Sequence, residues 1–158
     1  MLDQLMKIVE QNAGSVVDNK AIPDQFSNAA IKEITNQIFY GLKGQVSDGN
    51  MQGVISLFQT GITRQPSPVI NAITDIVSRN LVSKFRLAPE VAQSVASQIV
   101  PTVMTQVIKK TNDPRDIDFD LQQMLRRMSG DNNLDISSMM PQKTKTTLGS
   151  VFNKFFKK

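Results

Sequence analysis

The 158-residue sequence predicts an all-α protein, a compact multi-helix bundle of about six helices followed by a flexible basic C-terminal segment. Apolar residues recur three and four positions apart through most of the chain, which is the period of an amphipathic helix. Turn-forming clusters separate these stretches, and Pro68 and Pro89 stand where helices are expected to begin. We therefore expect a helical domain over residues 1–130. Residues 131–158 are expected to form a polar linker and an amphipathic Phe/Lys-rich segment.

The first two helices are predicted from apolar spacing and glycine. Helical spacing over about residues 2–13 predicts a short helix that stops at Gly14. A longer helix begins near Phe26, and its apolar stripe is wide enough to indicate packing on two neighbours. We expect it to end between Gly41 and Gly49, where three glycines accumulate as loop residues.

The next helices have recognisable start signals. Asn50 is expected to cap a helix that Gly61 closes. Ser67 is expected to be the N-cap of a helix with Pro68 as its first residue, where the missing N–H costs nothing. A further helix starts at Pro89 and runs to residues 109–110, two lysines that complement the helix dipole.

Pro101 lies inside this last pattern. A proline in a helix interior removes one backbone hydrogen bond and clashes with the preceding turn, at a cost of about 3 kcal/mol. We therefore expect a kink or break near residues 99–100. A short helix over about residues 116–128 follows, and Gly130 ends it.

The residue inventory argues against catalysis. The chain has no Cys, no His, no Trp and one Tyr, so the common nucleophiles, general bases and soft metal ligands are missing. The acidic run at Asp113, Asp116, Asp118 and Asp120 is not an EF-hand, because the required Gly and Glu are absent at its sixth and twelfth positions. We interpret these acids as favourable charges at a helix N-terminus. The prediction is a protein that is not an enzyme and has no catalytic residue, metal, cofactor or small-molecule substrate.

Charge is concentrated at the C-terminus. The net charge is +4, yet five lysines and no acid follow Pro141, so the rest of the chain is slightly acidic. With few aromatic residues and no recognition-helix pattern, nucleic-acid binding is not expected. The N-terminus shows no signal-peptide pattern, which favours a cytoplasmic start or an already mature N-terminus.

The C-terminal segment is the predicted partner-binding element. As a helix it presents apolar residues on one face and lysines elsewhere, an arrangement typical of docking into a partner's groove or lying on an anionic membrane. Folding back onto the bundle is the alternative. The candidate residues are Leu148, Val151, Phe152, Lys154, Phe155, Phe156 and Lys157.

Three stretches carry a family resemblance: residues 87–92 (LAPEVA), 99–101 (IVP) and 119–125 (FDLQQML). With them the chain resembles the YidB-like bacterial family of unknown function, in particular its longer Bacteroidetes members. That resemblance implies an all-helical fold and carries over no catalytic residue. The chain is also similar to the small helical plug subunits of the type IX secretion translocon. This implies a large outer-membrane channel protein as partner and a location on the periplasmic side of the outer membrane.

Together these observations predict a non-enzymatic accessory protein that docks on a larger bacterial envelope assembly, with a plug for a secretion channel as the sharpest form. The alternative is a peripheral membrane-surface or cytoplasmic helical protein of unknown role. An enzyme that uses carboxylates alone, on glycans for instance, is the least favoured class.

Overall fold

The computed structural model describes residues 2–18, 20, 22–61, 67–113, 115 and 120–136, and these ranges contain helices and no strand. Six of the described helices have nine or more residues, which confirms the predicted all-α bundle. A 3-10 turn over Asp24–Phe26 precedes the third helix. The α-helices are α1 (Leu2–Gln11), α2 (Gly14–Val17), α3 (Ser27–Ser47), α4 (Met51–Thr60), α5 (Pro68–Phe85), α6 (Pro89–Thr111) and α7 (Leu121–Ser129).

Helix α3 is the centre of the bundle. It contacts α1, α4, α5 and α7, more neighbours than the two that its wide apolar stripe indicated. The predicted loop role of the first two glycines is wrong, because Gly41 and Gly44 both lie inside α3. At Gly41 a Cβ atom would lie 3.0 Å from Cγ1 of Ile73 on α5, so the missing side chain lets the two helices approach closely.

The start signals of α5 and α7 operate as capping chemistry predicts. The Ser67 hydroxyl accepts a hydrogen bond from the Ile70 backbone N–H at 3.4 Å, and Pro68 is the first residue of α5. The Asp120 carboxylate accepts from the Gln123 N–H at 3.1 Å at the start of α7. Gly130, with φ of 75°, ends that helix as predicted. Of the predicted helix over 116–128, residues 116–119 lie outside the described residues.

Gly14 and Asn50 do not have the roles predicted for them. Gly14 does not stop the first helix: α1 ends at Gln11, and Gly14 begins α2. Asn50 stands at the N-cap position of α4, but its side chain makes no capping bond. Instead the Asn50 amide donates to Oε1 of Gln45 at 2.6 Å, because the chain bends sharply enough between α3 and α4 to bring the two side chains together.

Of the kink or break predicted near residues 99–100, the break is wrong. Helix α6 runs without interruption through this proline. Its inner side is buried on both sides of Pro101, with Ile99, Val100 and Val103 each at most 1 % exposed. Burying such side chains contributes roughly 1.5–3 kcal/mol each, which outweighs the cost of one interior proline.

Residues 131–136 turn back along α7. The Arg126 Nε donates to the Leu134 carbonyl at 2.7 Å, and the Ile136 N–H donates to Oε1 of Gln122 at 3.2 Å. Ile136 is 3 % exposed and belongs to the core. The described chain therefore ends beside the beginning of α7, in contact with the bundle. Among the described helices, none has the length and apolarity to cross a lipid bilayer.

Candidate binding surfaces

The C-terminal partner-binding residues predicted from the sequence all lie outside the described residues. The same holds for the linker from residue 137 onward. For this segment, the structure shows only the surface of the described domain that precedes it. The residues concerned are Leu148, Val151, Phe152, Lys154, Phe155, Phe156 and Lys157.

The described domain has a continuous apolar core with little large apolar surface left outside. Its buried hydrophobic residues form one cluster that includes side chains from all six long helices and Ile136. Within the described ranges, the exposed large hydrophobics are Leu2, Phe26 and Tyr40. Tyr40 packs edge-on against Phe39, with 5.7 Å between ring centroids. These residues are scattered along the first 40 positions of the sequence, and single exposed apolar side chains are normal on a protein surface.

A surface that the sequence analysis missed lies on the outside of α6. From Val91 to Ile108 the chain has no Asp, Glu, Lys or Arg, although the solvent face of an amphipathic helix is usually a mixture of charged and polar side chains. Its solvent-facing side consists of small hydroxyl and amide residues around the half-buried Pro101. We call this surface the α6 face, and its exposed members are Gln93, Ser94, Ser97, Gln98, Thr102 and Thr105.

Several polar groups of the α6 face are already hydrogen-bonded within the helix. The Thr102 hydroxyl donates to the Gln98 carbonyl at 2.8 Å, and the Thr105 hydroxyl donates to the Pro101 carbonyl at 2.7 Å. The Gln93 amide donates to the Ser97 hydroxyl at 3.1 Å. Because these donors have partners, covering them removes fewer hydrogen bonds to water than covering free hydroxyls would.

A shallow groove of about 400 Å³ lies beside the α6 face, between α5 and α6. Its polar lining is uncharged apart from Asp75, which forms an ion pair with Arg79 one turn along α5. The Thr74 hydroxyl in this groove donates to the Ile70 carbonyl at 2.8 Å. The groove residues are Ile70, Asn71, Thr74, Asp75, Gln93, Ser97 and Pro101.

Charged residues bound the α6 face at its two ends. Glu90 is exposed in the first turn of α6, and Lys109 is exposed in the last turn. Both charges complement the helix dipole, which is positive at the N-terminus and negative at the C-terminus. The face is therefore neutral in the middle, acidic at one end and basic at the other.

A polar cluster ties α3 to α5. Lys84 Nζ lies 3.1 Å from Oε1 of Glu33, and the Gln37 amide donates to the same oxygen at 3.0 Å. Burial raises the pKa of the Glu33 carboxyl, but hydrogen bonds from Lys84 and Gln37 together with the charge of Lys84 outweigh it and hold that pKa below its usual 4.5. Glu33 therefore stays ionised at neutral pH, and the cluster has a structural role.

The acidic run after α6 also has structural partners where it is described. Asp120 caps α7, and Asp113 accepts hydrogen bonds from the backbone N–H and the guanidinium of Arg115. The backbone bond first, and then the guanidinium, lower the pKa of Asp113. Asp116 and Asp118 lie outside the described residues. No group of three His, Cys, Asp or Glu side chains in the described part is arranged to hold a metal ion.

Sequence reasoning missed the α6 face because it looked for charged and aromatic clusters. The available signal was the opposite: a long helical stretch without charge, whose polar positions recur every three to four residues. Comparisons of the chain with protein-family models, with curated proteins and with solved structures give no match.

Proposed function

We propose that the protein is a non-enzymatic binding subunit that docks on a larger bacterial envelope assembly through its C-terminal segment. The observation that carries this proposal is the composition of the last seven residues, which contain three Phe and three Lys. They follow a described domain whose large apolar side chains are almost all in its own core. A partner protein is the surface that best covers these phenylalanines.

The energetics favour a protein groove for this segment. Burying a Phe side chain contributes roughly 1.5–3 kcal/mol, so three of them supply a substantial part of a specific binding energy. In a helix the lysines lie outside the apolar stripe, where they meet an acidic rim without being buried. An amphipathic helix that docks into a groove likewise buries its apolar face and leaves its charged residues outside.

The linker length allows the segment to reach a partner. Ile136 is anchored beside the beginning of α7, and Leu148 follows twelve residues later. An extended chain spans at most about 3.4 Å per residue, so the segment can act up to roughly 40 Å from its anchor. The domain can thus occupy one site on an assembly while the segment binds another.

The sharper form of the proposal is a plug that closes the periplasmic end of an outer-membrane protein-secretion channel of the type IX system. The resemblance of the chain to plug subunits supports it, as do the small size and helical fold. The partner is then a large outer-membrane barrel protein, and the location is periplasmic.

The test is a pull-down of the tagged full-length chain from detergent-solubilised envelopes of its native host, with mass spectrometry. We expect near-stoichiometric recovery of a large outer-membrane barrel protein, and loss of it with the double variant Phe152→Ala/Phe155→Ala. Phe26→Ala, at an exposed phenylalanine of the domain, is the matched control and should recover the barrel normally.

Two outcomes would contradict the proposal. Equal recovery with the double variant would show that the C-terminal segment is not the docking element. Absence of any envelope protein, combined with co-sedimentation of the chain with anionic lipid vesicles at low salt, would assign the segment to a membrane surface instead. Binding to an anionic membrane surface is the alternative to exclude, because the five lysines that follow Pro141 would be attracted to it.

A further inference from the structure

We propose that the α6 face is the surface on which two copies of this chain pair, with their α6 helices antiparallel about a two-fold axis. This self-association is separate from the proposed docking through the C-terminal segment. Three features of the described residues carry it: low cost of removing the face from water, a shape that admits a second helix, and a charge pattern that complements itself when reversed.

The α6 face is inexpensive to remove from water. It has no charged residue between Val91 and Ile108, and burying an unpaired charge is the largest penalty an interface can meet. The Thr102 and Thr105 hydroxyls already donate within the helix. Depletion of charge at the centre distinguishes the core of a protein interface from ordinary surface.

The shape of the surface suits a helix. Ser94 and Ser97 are small residues one turn apart on the exposed side of α6, so a second backbone can approach them closely. The groove of about 400 Å³ between α5 and α6 runs beside Ser97 and Pro101. Larger side chains of the opposing face, such as Gln93 and Gln98, can enter it as ridges enter grooves in packed helices.

The charge pattern selects a second copy and its direction. Glu90 lies at one end of the face and Lys109 at the other. When two such faces pack antiparallel, each acidic end lies beside a basic end and the two helix dipoles oppose favourably. Parallel packing would place like charges together. The Asp75–Arg79 pair at the rim of the groove is neutral overall, so it adds no repulsion. A strongly acidic or basic partner would find nothing to complement in the middle of the face.

The expected dimer is concentration-dependent. From Glu90 to Lys109 the contact extends for about 30 Å along α6 at 1.5 Å per residue, which places it at the small end of specific interfaces. Sedimentation equilibrium of the full chain over a wide concentration range should therefore show reversible monomer and dimer. A monomer at every concentration up to the millimolar range would overturn the proposal.

The first variant places a charge at the centre of the contact. Ser97→Glu should raise the dissociation constant of the dimer at least about tenfold, because the carboxylate would be buried without a partner. Ser56→Glu, at an exposed serine of α4, is the matched control and should leave the constant unchanged. Circular dichroism checks that both variants remain helical. A folded Ser97→Glu variant that dimerises like the parent would overturn the proposal.

Reversing the end charges tests the antiparallel direction. Glu90→Lys and Lys109→Glu should each weaken the dimer about two- to fivefold, the size of an exposed charge interaction. The double variant should restore it, because each reversed end again faces an opposite charge. If the two residues act only on the dipole of their own helix, the effects of the two changes will add. The double variant will then form the weakest dimer of the three, and the antiparallel arrangement is wrong.

The absence of cysteine from the chain gives an independent test. Gln98 lies near the middle of the face, so Gln98→Cys should form a covalent dimer on mild oxidation, whereas Ser56→Cys should not. Deleting residues 148–158 should leave this cross-linking intact. Loss of cross-linking on deletion would show that the C-terminal segment makes the contact instead of α6. Neither result depends on the envelope partner, so failure of one proposal leaves the other to its own test.

Discussion

At the residue scale, the Glu33–Lys84 contact shows how a half-buried charge is retained in a helical bundle. The Glu33 side chain is 16 % exposed, while Lys84 keeps 56 % of its side-chain surface in water. The carboxylate is thus desolvated by burial between α3 and α5, and Gln37 supplies an additional donor. Because the lysine remains largely solvated, the pair stabilises the fold only modestly.

The first prediction concerns the pH dependence of this contact. The pKa of Glu33 lies below its ordinary 4.5 in the folded protein, so its contribution to stability is fully present above that value and is lost as pH falls through the lower, folded pKa. Glu33→Gln should therefore lower the free energy of unfolding by about 0.5–1 kcal/mol at pH 7. The difference from the parent should shrink progressively below pH 4.5.

Urea titrations of both proteins at several pH values measure this difference. Glu10→Gln, at an exposed position of α1, controls for removing one carboxylate from the surface. A difference between parent and Glu33→Gln that grows as the pH is lowered would contradict the sign of the shift. A difference that stays constant would show that the carboxylate charge itself contributes nothing.

At the scale of elements, sequence and structure agree where the signal is local. Ser67 with Pro68, Gly61 and Gly130 set helix ends through their own backbone preferences and hydrogen bonds, so they are readable from a few neighbouring residues. The structure differs from the prediction at Gly14 and Gly41, and it has no helix break at Pro101, because tertiary packing overrides weak local preferences. The close approach of Gly41 to Ile73 depends on a helix that lies more than 30 positions away in the sequence.

The two candidate surfaces differ in the same respect: one is recognisable from the sequence, and the other only from the fold. The Phe/Lys-rich end of the chain is visible in the sequence because its composition alone is unusual. The α6 face needed the fold: its residues are ordinary Ser, Thr and Gln, and only the burial of Ile99, Val100 and Val103 establishes which side of the helix meets water. An uncharged polar stretch has no meaning for binding until that orientation is known.

The second prediction belongs to α6. Because this helix is continuous at Pro101, Pro101→Ala should supply the missing N–H within the same helix. We expect the free energy of unfolding to rise by about 1–3 kcal/mol, the difference in helix propensity less the entropy that proline removes from the unfolded chain. Thermal and urea unfolding at low micromolar concentration measure it, and Thr102→Ala at the adjacent exposed position is the control. A destabilised Pro101→Ala protein would show that the proline ring itself makes an essential contact.

At the scale of the whole molecule, the core of the described residues extends beyond α7 to Ile136. The residues after Gly130 return along α7, and their hydrogen bonds to Arg126 and Gln122 hold them there. This return places Ile136 in the core at 3 % exposure. The folding unit therefore includes a stretch that by composition belongs to a polar linker.

The third prediction is a pair of truncations that differ by this stretch alone. A chain of residues 1–136 should retain the unfolding free energy of the full chain to within about 0.5 kcal/mol, since it keeps every side chain of the described core. A chain of residues 1–130 should lose roughly 2–4 kcal/mol, because it lacks Ile136, which belongs to the core, and Leu134, which packs partly buried against it.

Chemical denaturation at low micromolar concentration separates the two chains. The full-length protein and the chain of residues 1–136 serve as mutual controls for any effect of the Phe/Lys-rich end. If both truncations unfold like the full chain, residues 131–136 contribute nothing to the core. If the longer truncation is destabilised as much as the shorter one, the C-terminal segment packs on the bundle in the free protein, and its phenylalanines would have to leave that site before they could bind a partner.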